Sequence, residues 1–103
     1  MHVISKKPFS DAAKKHPNDR DAIMDTYNVL RKGDFETPLI LKKTFTSLDN
    51  FKYKDKWWII DIGGNNLRLM VAILFSCQKI YVKHIVTHTE YDKLTTKYKK
   101  GEQ

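Results

Sequence analysis

Cysteine, proline and glycine are scarce in this sequence, whose 103 residues include one Cys, three Pro and four Gly. The lone Cys77 cannot form an intramolecular disulfide, and nothing resembles a metal-ligand cluster. The longest apolar run, residues 69–75, is far shorter than the roughly 18 residues of a membrane span. No charged-then-apolar signal pattern opens the chain. We therefore expect a cytoplasmic protein with no membrane segment, no metal and no cofactor.

Positive charge, in contrast, is in excess. There are 19 Lys and Arg against 12 Asp and Glu, which gives a formal net charge of +7. A basic surface attracts polyanions and speeds encounter with them. Residues 1–30 are nearly neutral, with five basic and four acidic side chains, so the excess lies in the later part of the chain. The same charge can also serve only as a solvated surface that keeps the protein soluble.

Length and periodicity predict one domain, residues 1–103, of mixed secondary structure. The predicted order is β-α-α-(α)-β-β-β-α. Strands are predicted at 2–5, Trp57–Ile62, 67–76 and Lys79–Thr87. Helices are predicted at 8–15, at 18–32, from Thr37-Pro38 to residue 41 or 45, and from Thr89 onward. Residues 46–56 are predicted to be an irregular, basic connector.

The links between the last three strands are short. Gly63 and Gly64, followed by two Asn, suit a turn with positive φ angles, and Cys77-Gln78 is a tight connection. Three strands joined in this way form an antiparallel meander. Gly33 is expected to end the second helix as its C′ residue, and Asp92 is expected in a capping box with Thr89. The predicted fold class is α/β (α+β), with a helical hairpin packed on a small twisted, mainly antiparallel sheet and a C-terminal helix.

One arginine, Arg68, interrupts the long apolar strand. Alternation places Arg68 and Met70 on the face opposite to Leu67 and Leu69. An arginine there must reach the rim or a partner, because burying it alone is very costly. Its fork can grip two oxygens of a phosphodiester. The alternative is a structural ion pair, with Asp61 across the hairpin as the candidate partner.

Three further candidates lie where the last strand meets the last helix. His88 suits acid–base chemistry because only histidine titrates near neutrality without help. Tyr91, one helical turn on, can donate to a phosphate, transfer a proton or stack on a base. Asp92, the next residue, is the one acidic candidate. The alternatives are a surface histidine in a turn, a tyrosine that packs the helix, and a capping aspartate.

Four lysines are candidates for holding an RNA backbone. Lys52, Lys54 and Lys56 alternate before the central strand and would share one side if that segment were extended, and Lys83 lies on the last strand. The alternative is a solvated edge that prevents strand-to-strand aggregation. Trp57 and Trp58 are expected on opposite sheet faces.

His84 has the strand parity of Ile80, Val82 and Val86, which favours a core or edge position. A metal pair of His84 with His88 is not expected, because the i, i+4 spacing suits helical ligands rather than ligands on a strand.

Several local strings, in order, resemble the HigB toxins of bacterial toxin–antitoxin pairs, within the RelE-like superfamily. The strings are Ser47-Leu48-Asp49-Asn50-Phe51-Lys52-Tyr53, Gly63-Gly64-Asn65-Asn66-Leu67-Arg68 and Thr87-His88-Thr89-Glu90-Tyr91-Asp92. The resemblance implies a microbial-RNase-like domain that cleaves translated mRNA at the ribosome without a metal. It also implies inhibition by a cognate HigA-type helix-turn-helix antitoxin, with operator DNA bound only through the toxin–antitoxin complex.

The resemblance also implies roles for particular residues. Arg68 matches an arginine that contacts the scissile phosphate in RelE-like toxins, and Tyr91 and Asp92 match a tyrosine and an acid of the C-terminal region. The chain departs from RelE at the central strand, which begins Trp57-Trp58 and contains no lysine. The alternatives are a non-catalytic basic nucleic-acid-binding module and a family member that acts only as an antitoxin co-repressor.

Overall fold

Five strands and four helices make up the computed structural model, which describes residues 1–101. The strands are β1 (His2–Ile4), β2 (Asp49–Asn50), β3 (Trp57–Ile62), β4 (Leu67–Leu74) and β5 (Lys79–Thr87). The helices are α1 (Lys7–Lys15), α2 (Arg20–Lys32), α3 (Pro38–Thr44) and α4 (His88–Lys99). Short 3₁₀ turns, Pro17–Asp19 and Phe75–Cys77, precede α2 and β5. Among these residues no helix is long and apolar enough to cross a membrane.

All five strands belong to one sheet, in the order β1-β5-β4-β3-β2. β1 runs parallel to β5, and every other neighbouring pair is antiparallel. The predicted meander of β3, β4 and β5 is therefore confirmed, and so is the mainly antiparallel sheet. Its register places Arg68 between Asp61 on β3 and Val86 on β5.

The main core lies between one face of the sheet and helices α1, α2 and α3. Fully buried side chains from both layers meet there: Phe9, Ile23, Leu30 and Leu41 from the helices, and Ile60, Leu69, Val71, Ile73 and Ile80 from the strands. Burial of each such side chain stabilises the fold by about 1.5–3 kcal/mol. The predicted helical hairpin on one sheet face is thereby confirmed.

The opposite face, which we call the α4 face, carries a second and smaller cluster. Phe51, Ile59 and Met70 are buried in it. Partly buried side chains surround them: Tyr53, Trp57, Val86, Tyr91, Leu94 and Tyr98. Trp58 packs instead against the main core, so the two tryptophans lie on opposite faces, as predicted.

A β-bulge in β5 changes which of its side chains face α4. Met70 is paired with His84, but the next residue of β4, Val71, is paired with Val82, so Lys83 is the extra residue. Before the bulge Val82 faces the main core, and after it His84 and Val86 lie on the α4 face. The expectation that His84 shares a face with Ile80 and Val82 was wrong, because strict alternation does not continue through a bulge.

Glycines form the turn between β3 and β4 and end α2, as predicted. Gly63 and Gly64 have φ angles of 63° and 71°, as the turn requires. Gly33 ends α2 as its C-cap rather than its C′ residue, with a φ of −80° and a ψ of 162°. Close packing explains the glycine at position 33, because a Cβ there would lie 2.4 Å from the Phe35 ring.

The connector before β3 and the end of β4 differ from the predictions. The connector 46–56 contains the short strand β2, which pairs with β3. Strand β4 ends at Leu74 instead of residue 76, because a 3₁₀ turn and a left-handed Gln78 reverse the chain. The segment before β3 consists of turns, and Lys56 in it has a φ of 65°. It is therefore not the extended segment on which the alternation of the lysines depended.

Helix α4 begins earlier than predicted, at His88. Thr87 is its N-cap: the Thr87 hydroxyl accepts from the Glu90 N–H at 3.3 Å, and the Glu90 carboxylate accepts from the Thr87 N–H at 2.9 Å. The backbone hydrogen bond from Thr87 lowers the pKa of the Glu90 carboxyl. The expected capping pair of Thr89 and Asp92 was therefore wrong, because the motif lies two residues earlier.

We predict that Thr87→Ala destabilises the protein by about 1 kcal/mol, because one helical N–H loses its acceptor. Urea unfolding of both variants measures the difference. Thr89→Ala is the matched control and should change the free energy of unfolding much less, since Thr89 is exposed and caps nothing. Equal losses for the two variants would contradict the capping assignment.

Candidate active site on the α4 face

The Arg68 guanidinium is the point where three other side chains meet. Its Nη2 lies 2.8 Å from His88 Nε2, and its Nη1 lies 3.8 Å from Asp61 Oδ1. Its Cζ lies 4.7 Å from the centre of the Tyr91 ring. Three of the four residues predicted to be catalytic are thus in contact, and the Asp61 partner considered for a structural pair is present as well.

Backbone geometry accounts for this convergence. Asp61 and Arg68 are directly paired across the β3–β4 hairpin. His88 is the first residue of α4, immediately after β5, so it lies at the same end of the sheet. Tyr91 follows three residues later and therefore shares a helix face with His88. The site needs the hairpin register and the strand-to-helix junction together.

The contact between Arg68 and His88 has a direction that follows from the chemistry of the guanidinium. A guanidinium has donors but no acceptor, so Arg68 donates and His88 Nε2 accepts. The lone pair of Nε2 is therefore directed at the guanidinium, 2.8 Å away.

The guanidinium keeps unused donor capacity. Its Nε is buried and has no hydrogen-bond partner among the residues that the structure describes, and the contact to Asp61 is long for a hydrogen bond. The side chain is 23% exposed, so one side remains open to a ligand. The exposed part of the fork favours an anion with more than one acceptor oxygen, such as a phosphate.

Asp92 is separate from this group. It is exposed on α4, and its side chain makes no hydrogen bond or ion pair within residues 1–101. Its capping role was wrong, as described above. Its catalytic role stays a prediction.

The four candidate lysines do not form a row. Lys52 Nζ lies 5.3 Å from the Tyr53 ring and Lys54 Nζ lies 5.2 Å from the Tyr98 ring, both at the α4 face. Lys83 Nζ lies 5.9 Å from the Trp57 ring on the same face. Lys56 instead lines a cleft with Trp58 and Phe75, on the other side. The expectation that Lys52, Lys54 and Lys56 share one side was wrong, because the segment turns.

The pair of His84 and Tyr98 is a feature that the sequence did not reveal. His84 Nε2 lies 2.9 Å from the Tyr98 hydroxyl, and the imidazole packs near the Trp57 ring. Burial, followed by the charges of Lys97 and Lys83, lowers the pKa of His84 and favours its neutral form. His84 lies on this face because of the bulge at Lys83. The local sequence did not predict that bulge.

The fold and the site together define a small α+β domain of the RelE-like kind. The model of the HigB toxin family, described as the RelE-like toxic component of a toxin-antitoxin system, matches residues 19–94. The chain belongs to the HigB toxin family, which confirms the resemblance seen in the sequence.

Two relatives are similar over nearly their whole length. The mRNA interferase HigB of Escherichia coli O6:H1 is 48% identical over 103 residues, which is 100% of both chains. The mRNA interferase toxin HigB of Escherichia coli K12 is 43% identical over 95 residues, which is 92% of this chain and 91% of the relative.

Proposed function

We propose that this protein is an mRNA endoribonuclease toxin that cleaves translated mRNA at the ribosome. Support comes from its family and from relatives that are named mRNA interferases. The observation that carries the proposal is the 2.8 Å contact of the Arg68 fork with the imidazole of His88. It joins a permanent cation and a candidate proton acceptor at one end of the sheet.

The proposed reaction is transesterification without a metal. The ribose 2′-oxygen attacks the adjacent phosphorus, the bond from phosphorus to the 5′-oxygen breaks, and a cyclic phosphate forms. A base removes the 2′-OH proton, a cation stabilises the extra charge on the phosphorane, and an acid protonates the leaving 5′-oxygen. We assign the cation to Arg68 and the base to His88.

Substrate binding must rearrange the contacts of Arg68. A scissile phosphate offers two non-bridging oxygens that the guanidinium fork can bind together, whereas Asp61 lies 3.8 Å away and His88 offers one nitrogen. Once Arg68 turns to the phosphate, His88 Nε2 loses its donor and can accept the 2′-OH proton. The base thus becomes available when the phosphate is in place.

Tyr91 and Asp92 complete the proposed site. The Tyr91 ring supports the Arg68 guanidinium from 4.7 Å, and its hydroxyl has no hydrogen-bond partner within residues 1–101, so it can donate to the phosphate or transfer a proton. Asp92 is exposed one residue further along α4, where it can reach a bound RNA. We expect Tyr91 to contribute more to the reaction than Asp92 does, because Tyr91 already contacts Arg68.

Lysines of the α4 face supply the remaining attraction for RNA. Lys52, Lys54 and Lys83 lie around the aromatic cluster on this face, so a strand that passes Arg68 meets them in turn. Lys56 lies on the other side of the sheet, so it would not contact an RNA strand bound to the α4 face. The attraction should weaken as salt rises, because neutralised phosphates release counterions.

Membership of a toxin–antitoxin family implies an antitoxin partner. We propose that it is a HigA-type helix-turn-helix protein and that operator DNA is bound only through the complex. We also propose a cytoplasmic location, since the proposed substrate is mRNA on the ribosome.

We predict that Arg68→Ala lowers single-turnover cleavage of ribosome-bound mRNA by about 10²-fold or more, because one preorganised donor to the phosphorane is lost. Arg68→Lys should recover little, since a point charge cannot reproduce the two-pronged grip. Arg20→Ala is the matched control: it removes an exposed arginine on α2 and should retain the wild-type rate. Near-normal cleavage by well-folded Arg68→Ala would exclude this residue from the site.

We predict that His88→Ala lowers the same rate by about 10²- to 10⁴-fold if His88 moves a proton. The pH–rate profile should also lose one limb, which a purely structural role would not cause. His2→Ala removes an exposed histidine from β1 and serves as the control. A variant that melts earlier yet cleaves normally when folded would assign His88 a structural role only.

For the partner, we predict that co-expression of the neighbouring reading frame restores growth and yields a complex that survives size-exclusion chromatography. A free mRNA-cleaving toxin would harm its host. We therefore expect the partner to cover the α4 face or to block the approach of the toxin to the ribosome. Failure of every neighbouring gene product to bind would contradict the proposed pairing.

A further inference from the structure

Three adjacent strands place two aromatic side chains on either side of an alanine. Trp57 of β3 is paired with Ala72 of β4, and Ala72 is paired with Tyr81 of β5. All three lie on the α4 face, by alternation from Arg68 and Met70. Because neighbouring strands are about 4.8 Å apart, the Cα atoms of Trp57 and Tyr81 are separated by about 10 Å. The methyl group of Ala72 fills little of this gap, which we call the aromatic slot.

Lys83 lies over the aromatic slot. Its Nζ is 5.9 Å from the centre of the Trp57 ring and 5.9 Å from the centre of the Tyr81 ring. The bulge in β5 makes Lys83 the extra residue, and bulges commonly re-aim a side chain next to a functional site. A cation that contacts both walls can turn outward when a ligand fills the slot.

The two walls differ in how firmly they are held. The Trp57 ring packs against Tyr98 at 5.2 Å and against Phe51 at 5.9 Å. Tyr81 contacts no other ring among the described residues, and its hydroxyl has no hydrogen-bond partner there. One wall is therefore rigid and the other is free to adjust to a ligand.

The aromatic slot continues the surface that begins at Arg68. Ala72 is four residues further along β4 on the same face, a distance of about 13 Å. A few nucleotides of an extended single strand span that distance. A strand whose phosphate is bound by Arg68 can thus place a neighbouring base at the slot.

We propose that the aromatic slot binds one nucleobase of the RNA, a few nucleotides from the phosphate held by Arg68. Trp57 and Tyr81 stack on the base, and Lys83 contacts its phosphate. This inference rests on the proposed function, and it adds a subsite that is separate from the reacting groups. Aromatic walls with a cation suit single-stranded RNA, because every base has a π-face and every nucleotide has an anionic phosphate.

A double-mutant cycle between protein and RNA tests the subsite. Ribosome-bound mRNAs carry an abasic ribonucleotide at one position at a time around the cleavage point, and kcat/KM is measured with each. At one position, loss of the base should lower kcat/KM of the wild-type protein by about 5- to 100-fold, the usual effect of one stacked base. The same loss should have almost no effect on Tyr81→Ala, because the slot no longer has two walls.

Further variants separate the ring of Tyr81 from its hydroxyl, and the charge of Lys83 from the net charge of the protein. Tyr81→Phe keeps the ring and should behave like the wild-type protein. Lys83→Ala should lower kcat/KM, because the nucleotide at the slot loses its phosphate contact. Lys14→Ala removes one exposed positive charge on α1, on the opposite face, and should lower kcat/KM less, so it controls for the change in net charge. Losses from abasic RNA and from Tyr81→Ala that multiply independently at every position would overturn the proposal. Tyr81→Ala that weakens only the antitoxin complex would also overturn it and would assign the slot to that partner.

A second measurement does not depend on cleavage, so it separates failure of the slot from failure of the proposed function. Trp58→Phe leaves Trp57 as the one tryptophan of the two in the chain. A single-stranded oligoribonucleotide should quench its fluorescence, and Tyr81→Ala should weaken that binding by about 5- to 100-fold. Quenching without cleavage would support the slot while contradicting the nuclease. No quenching at millimolar oligoribonucleotide, with or without cleavage, would overturn the slot.

Discussion

The guanidinium of Arg68 imposes the constraint on which the site depends. It stands in a strand whose other side chains are apolar, and an unpaired charge in such surroundings would strongly destabilise the fold. Asp61 on the neighbouring strand and His88 at the start of α4 supply the contacts that make its position tolerable. Those contacts leave the side chain 23% exposed, and this exposed part of the guanidinium is what an anion can reach.

The two faces of the sheet differ in how completely they are buried. The face opposite to the α4 face is buried under α1, α2 and α3, where apolar packing in the main core supplies most of the stability. The α4 face has a smaller core of Phe51, Ile59 and Met70, and around it tyrosines, histidines and lysines remain partly accessible. Changes on the α4 face can therefore alter ligand binding without removing the main core.

A single extra residue in β5 has consequences for the whole α4 face. The bulge at Lys83 brings His84 onto this face, where it bonds to Tyr98 and helps to anchor the end of α4. It also leaves Lys83 over the rings of Trp57 and Tyr81. Cations and aromatic rings on one face are groups that recognise single-stranded RNA, the substrate proposed above.

Local patterns in the sequence determined the strands β3 and β5, the glycine turn between β3 and β4, and the facing of Arg68, because periodicity and turn chemistry are properties of neighbouring residues. The pairing of Asp61 with Arg68 could also be predicted from the sequence, because a short hairpin turn sets the register of its two strands. The tertiary structure alone decided the face of His84 and the positions of Lys54 and Lys56. A bulge and a series of turns arise from packing against distant elements, and no local periodicity records them. The 2.8 Å contact of Arg68 with His88, twenty residues away, depends on the pairing of β4 with β5 and on the start of α4 at His88, which the folded chain decides together.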